Sequence, residues 1–363
     1  MKVGLVYTST TPELIALVDQ EVVAQLGNEV ERYSQQDPTI LADVRAAGFV
    51  PAAPAARLVG MNLTRKLTIG RICAFTAFAM AFAWAVFLLI PLNGLTYGTL
   101  PTQLMVAGAM FAPTLANLLT RLLTREGFGN LYLRPRFRGN GKAYLWIYFG
   151  TTLLILVSGA LYFLLVPGAF DPALTTIRQM LATSAVTLPI GWVLLLCAVV
   201  LLLISPIVNL LPTLGEEIGW RAYLLPKLRT LTTDRKAVLI TGVIWGVWHM
   251  PIIALGHNYG TAYPGYPWLG MLAMMVFCVS LGVLEGYATL RLNSVIPAAM
   301  IHSSVNAGAG LPLLLAGAGY PAILGPAITG LLGGIPMLLL AIYLLWKIGR
   351  PSGQLPKADS PVR

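Results

Sequence analysis

Apolar segments of about twenty residues recur through the last three hundred residues of this 363-residue chain, and they leave little architectural freedom. A helix of about 20 residues crosses the hydrocarbon core of a bilayer, where backbone polar groups must be satisfied within helices or closed barrels. Such segments lie near 72–92, 101–122, 144–166, 188–211, 237–256, 268–290, 294–311 and 331–347. Hydrophobic residues make up 57% of the chain and charged ones 10%. A soluble domain carries about 25% charge. The expected fold class is an all-α polytopic membrane protein. It has about eight transmembrane helices around an intramembrane polar cavity, preceded by a short soluble α/β segment.

The charged residues between segments test that count. Arg65, Lys66 and Arg71 precede the first segment, and Arg125, Arg134, Arg136, Arg138 and Lys142 follow the second. Arg221, Lys227, Arg229, Arg235 and Lys236 follow the fourth, Arg291 the sixth, and Lys347, Arg350, Lys357 and Arg363 the eighth. The intervening loops hold almost no charge. Alternation of this kind is the positive-inside pattern of a multi-pass protein of the cell membrane with both termini cytoplasmic. Residues 61–363 carry a net charge of +13 within the chain's +10, and there it faces anionic lipid. No basic stripe interleaved with aromatics points to nucleic acid. Cys73, Cys197 and Cys278 all lie in apolar segments and read as packing residues. The first long apolar segment exceeds the h-region of a cleavable signal peptide.

Residues 1–60 read differently. Lys2–Tyr7 and Glu29–Tyr33 have strand patterns, and Pro12–Leu26 and Pro38–Ala47 helical ones. Sixty residues with two thin strands make a poor core. The expected organisation is a soluble segment 1–60, a membrane domain 61–348 and a cytoplasmic tail 349–363.

Ionisable groups inside a membrane are costly and mark function by default. Glu216-Glu217-Ile-Gly-Trp-Arg221 places Glu217 and Arg221 four apart, on one helical face, with Glu216 about 100° away. Thr213-Leu-Gly-Glu216 also fits a capping box at a helix start. Trp245-Gly-Val-Trp-His249 and His302-Ser-Ser-Val-Asn306 each read alone as interhelical hydrogen bonding. Together, on three segments, they supply an acid–base pair and oxyanion donors. Glu216 with His249 can deprotonate a water; His302 and Asn306 can donate to the oxyanion; Glu217 and Arg221 brace the site. Gly-x-Ser-x-Gly and HExxH are absent, so neither a serine elbow nor a zincin is supported. A divalent metal such as zinc on Glu216, His249 and His302 stays open on ligand count. Glu285 either pairs with Arg291 or faces the cavity. His249 lies deep in its segment, whereas Glu216 lies past the inner end of 188–211. Either the segments are staggered or the chain around Pro206 and Pro212 bends inward.

These residues resemble the CPBP family of type II CAAX prenyl proteases and bacteriocin-processing enzymes. Its signature, EExxxR, FxxxH and HxxxN on separate helices, reads here Glu216-Glu217…Arg221, Trp245…His249 and His302…Asn306. Trp245 stands where Phe is usual. The resemblance covers roughly 70–348 and implies an eight-helix intramembrane endopeptidase. Glu216, His249, His302 and Asn306 would be catalytic, with Glu217, Arg221 and Trp245 behind them. The family has also been described as metalloproteases. Its substrate would be a peptide or membrane protein, lipidated in the CAAX case. The alternative is a non-catalytic immunity or binding protein that holds a peptide or membrane partner in the same cavity. An ion or proton carrier lacks a polar file across the bilayer. Residues 2–48 resemble the opening of an aspartate/glutamate racemase, without that enzyme's cysteines. They imply an inactive fragment, with Met61 a natural start for the membrane protein.

Overall fold

The computed structural model describes residues 3–7, 30–34, 54–129, 131–184 and 187–348. It divides into two compact units, 1–74 with 119–128, and 75–118 with 129–363. In the first, strands β1 (Val3–Tyr7) and β2 (Val30–Ser34) pair in parallel, Val3 opposite Val30. The helices expected over 12–26 and 38–47, and the tail 349–363, lie outside the described residues. Arg71 donates to the Thr124 hydroxyl and carbonyl, both at 3.1 Å, and lies 3.4 Å from Glu126.

The helices are α1 (Pro54–Leu92), α2 (Leu100–Ala109), α3 (Ala112–Leu123), α4 (Gly141–Leu165) and α5 (Thr175–Ala182). They continue as α6 (Ile190–Leu231), α7 (Asp234–Trp248), α8 (Met250–Ile253), α9 (Trp268–Leu292), α10 (Ile296–Gly308) and α11 (Ile335–Ile348). Helix α1 begins seven residues before Met61. All eight expected apolar segments contain helix, but among the described residues six stretches are long and apolar enough to cross a membrane. Those six contain α1, α2 with α3, α4, α6, α9 and α10. The fifth and eighth expected segments become α7 and α11, of 15 and 14 residues. At 1.5 Å per residue each rises only about 22 Å.

Helix α7 is short for a local reason. Pro251 has no N–H to offer the Val247 carbonyl, so the regular ladder fails at His249 and the chain restarts as α8. Helix α6 shows the opposite response to proline. It widens into a π-turn over Val200–Ile204 just before Pro206, and again over Trp220–Leu224 just before Pro226. In each, the N–H preceding the proline reaches back five residues, Ser205 to Val200 and Leu225 to Trp220. The added residue lets a helix 42 residues long pass its prolines without breaking.

This continuity resolves the depth of the polar residues. Glu216 sits fifteen residues from the end of α6 at Leu231, and His249 fifteen residues from the start of α7 at Asp234. The two helices meet at a turn clasped by Arg229 and Asp234, at 2.8 and 3.1 Å, so both residues stand about 22 Å from it. No inward bend is needed. The capping-box reading of Thr213 is corrected at the same time. Thr213 is inside α6, and its hydroxyl donates to Asn209 and to Ala299 of α10.

Helices approach closely where glycine removes the side chain. A Cβ on Gly219 would lie 2.3 Å from Pro113 Cβ, one on Gly242 2.8 Å from Val279 Cα, and one on Gly286 2.8 Å from Val238. Helix α9 is thereby held against α7 and is the most buried of the six long spans. The outward faces of α4 and the first half of α6 are apolar and exposed, as lipid contact requires. Overpacking of this kind costs about 1–3 kcal/mol. Gly219→Ala should therefore lower the unfolding temperature in detergent by several degrees. Gly191→Ala, where a Cβ meets nothing within 4 Å, should leave it unchanged.

Candidate active site

Four helices bring the motif residues together. The second half of α6 carries Glu216, Glu217 and Arg221, α7 ends at Trp245 and His249, α9 supplies Glu285, and α10 supplies His302. All seven are buried, and Glu217 and Glu285 are fully so.

The indole of Trp245 touches every motif element. Its Nε1–H donates to Glu216 Oε2 at 2.7 Å, and its face carries the Arg221 guanidinium 4.5 Å from the ring centre. Its ring lies edge-on to His302 at 5.1 Å, and its carbonyl accepts from His249 Nδ1 at 2.9 Å. That carbonyl is available because α7 ends there. The His249 N–H turns to Gly246 rather than continuing the ladder to Trp245. A carbonyl can only accept, so Nδ1 of His249 bears the hydrogen and Nε2 keeps its lone pair. Trp220 adds a longer contact, 3.4 Å, to the same Glu216 oxygen. Both indoles engage Oε2, and Oε1 takes none of the described hydrogen bonds.

Glu217 faces away from this carboxylate, as adjacent helical positions require. Its Oε1 accepts from Arg221 at 2.9 Å and from His302 Nδ1 at 2.9 Å. The other end of the guanidinium forms an ion pair with Glu285, whose second oxygen lies 3.9 Å from His302 Nδ1. Glu285 therefore pairs with Arg221 rather than Arg291, within the buried cluster. Arg291 lies six residues further along, toward the C-terminal end of α9.

Asn306 stands apart. It is exposed and makes none of the described hydrogen bonds, although it shares a helical face with His302. Ser303 donates to the Met300 carbonyl of its own helix. Cys278 is buried with its sulfur 3.6 Å from His249 Nδ1. His257 was missed by motif reasoning. Its ring lies nearly parallel to that of His249, with centres 6.4 Å apart. Its signal was scarcity, since the chain holds three histidines.

A metal on Glu216, His249 and His302 does not fit the geometry. Among the described residues, the group whose ligand atoms all lie within 4.8 Å of one another is Glu217, Glu285 and His302. The cation those carboxylates face is already covalent: the Arg221 guanidinium contacts both. No chemical step is therefore derived through a metal.

Breaking such a buried network strands its charges, at a cost of about 3–5 kcal/mol. Arg221→Met should destabilise the protein strongly in thermal unfolding. Arg221→Met combined with Glu285→Gln should recover part of that loss, because one stranded charge is gone. Additive losses in the double variant would refute the pairing.

Residues 195–308 match the family model of type II CAAX prenyl endopeptidases, Rce1-like. A CAAX prenyl protease 2 of Methanococcus maripaludis is 28% identical over 99 residues. The match spans 27% of this chain and 36% of the relative, so the chain covers about a third of that protein's length. The matched segment runs from the apolar half of α6 through α10 and contains the whole cluster. The three motifs thus fall inside the segment that is similar to the type II CAAX prenyl endopeptidases.

Proposed function

We propose that the protein is an intramembrane endopeptidase of the CAAX type. The observation that carries this reading is the division of labour around Trp245. Glu216 has one oxygen fixed and one free, and His249 is held in the tautomer whose Nε2 accepts a proton. Glu216 Oε1, assisted by His249, takes a proton from a water as its oxygen attacks the scissile carbonyl carbon. The C–N bond then breaks, and the proton passes to the leaving amine. His302 is placed to stabilise the oxyanion. Its Nδ1 is anchored on Glu217 Oε1 at 2.9 Å, and in its doubly protonated form its Nε2 donates to the oxyanion. Asn306 supplies a second donor once substrate covers it. The substrate is a peptide in the bilayer, with a lipidated C-terminal CAAX peptide the first candidate. The alternation of basic and uncharged loops supports a cytoplasmic position for both termini.

The test is cleavage of fluorogenic peptides, prenylated and plain, by the detergent-purified full chain. Loss of the general base lowers turnover by about 10²–10⁴-fold, so Glu216→Gln should fall by that factor with its unfolding temperature preserved. Chelator should leave the wild-type rate unchanged. Wild-type-like turnover in Glu216→Gln would defeat the mechanism. A folded wild type that binds these peptides without cutting them would favour the non-catalytic binding protein.

Trp245→Phe keeps the ring under Arg221 and removes the N–H to Glu216. A hydrogen bond to a charged group contributes about 1.5–3 kcal/mol. Turnover should fall roughly tenfold or more at unchanged KM, read from a Michaelis–Menten series.

A further inference from the structure

Each of the three histidines has Nδ1 tied to a protein group: His249 to the Trp245 carbonyl, His302 to Glu217, and His257 to the Tyr97 hydroxyl. None of the three Nε2 atoms has a described partner, and none is among the buried polar atoms left without one. Each of the three therefore keeps some accessible surface. Their hydrogens differ. The Tyr97 hydroxyl makes one described hydrogen bond, to His257 Nδ1; a phenol is a strong donor and a weak acceptor, so the favoured arrangement has Tyr97 donating to that nitrogen. Nδ1 then carries no hydrogen, and Nε2 of neutral His257 must. Burial lowers the pKa of His257 to about 4, which keeps the ring neutral and this tautomer in place at physiological pH.

The turn that carries His257 is built to hold it. Gly256, at φ +96°, reverses the chain after α8, and the His257 N–H returns to the Ile252 carbonyl at 3.2 Å. Tyr259 anchors the far side through a 2.9 Å hydrogen bond from its hydroxyl to the Thr329 carbonyl, and Asn258 contacts Met274. The result sets the ring of His257 within 6.4 Å of the proton-accepting ring of His249.

We propose that His257 is a substrate-binding residue whose Nε2–H takes a backbone carbonyl of the peptide next to the bond presented to His249. This rests on the endopeptidase reading and extends it to a residue outside the three motifs. A peptide offers carbonyl acceptors at fixed spacing, and His257 is the neutral donor beside a base that can only accept.

Two isosteric substitutions separate this role from a structural one. Glutamine places an amide N–H near the position of Nε2, whereas asparagine keeps only an acceptor near Nδ1 for Tyr97. The probe is a fluorescent peptide ending in a prenylated Cys-aliphatic-aliphatic-X sequence. Cleavage is followed with the full chain, and binding by anisotropy in the Glu216→Gln background. One neutral hydrogen bond corresponds to about two- to tenfold in affinity. His257→Asn should raise KM and weaken binding about five- to tenfold while kcat stays within about threefold, and His257→Gln should stay within about twofold on every measure. Equal losses in both variants, a normal His257→Asn, or a loss confined to kcat would overturn the proposal. If wild type does not cleave the probe, the endopeptidase reading fails. The anisotropy comparison still decides whether His257 binds the peptide.

Discussion

A guanidinium clamped between two carboxylates, in a bundle with almost no other internal charge, is the constraint on which this structure depends. Arg221 meets Glu217 within its own helix and Glu285 across on α9, and Trp245 covers its face. Desolvating three charges is expensive, and only good geometry with further hydrogen bonds offsets it. Arginine suits the task because its planar fork reaches two acceptors while its face stacks on an aromatic ring. Space for the fork comes from α9. A Cβ on Gly282 would stand 3.2 Å from the guanidinium nitrogen, so a larger residue there would press on the ion pair.

With the charge network fixed, the neighbouring carboxylate is left for chemistry. Glu216 and Glu217 are adjacent, so one turn of helix sends them to different surroundings. Glu217 is consumed by Arg221 and His302, while Glu216 meets two indole N–H groups on a single oxygen. The π-turn over Trp220–Leu224 lies in this same stretch. It is a consequence of Pro226, and it rotates Trp220 and Arg221 relative to a straight α-helix, toward the partners they contact.

Much of this is legible in the sequence, and the limits have a physical pattern. The apolar segments and the three motifs are local signals with helical periods, and each falls on helix. The failures concern lengths and distant partners. The fifth segment reads as a full span because the residues after His249 stay apolar, yet Pro251 ends its helix. Glu285 has Arg291 six positions along its own helix and Arg221 on another. The choice between them depends on which face of α9 the glycines turn toward α7, which no single-segment pattern contains. The depth of Glu216 was ambiguous because two prolines looked like breaks. Pro206 proved to follow a π-turn and Pro212 to lie within regular helix, so neither breaks α6.

Histidine explains why anchoring matters as much as proximity. A free imidazole exchanges between two tautomers of similar energy, and only one of them presents the atom a reaction needs. Here a helix end frees the Trp245 carbonyl to hold His249 as an acceptor, and a carboxylate holds His302. Both anchors are by-products of the same helix packing that buries Arg221. The break at Pro251 thus has two effects that cannot be separated. It shortens α7 below a full membrane span, and it releases the carbonyl that sets the protonation of the residue beside it. A longer, unbroken α7 would cross the membrane more completely and would leave His249 without a defined tautomer.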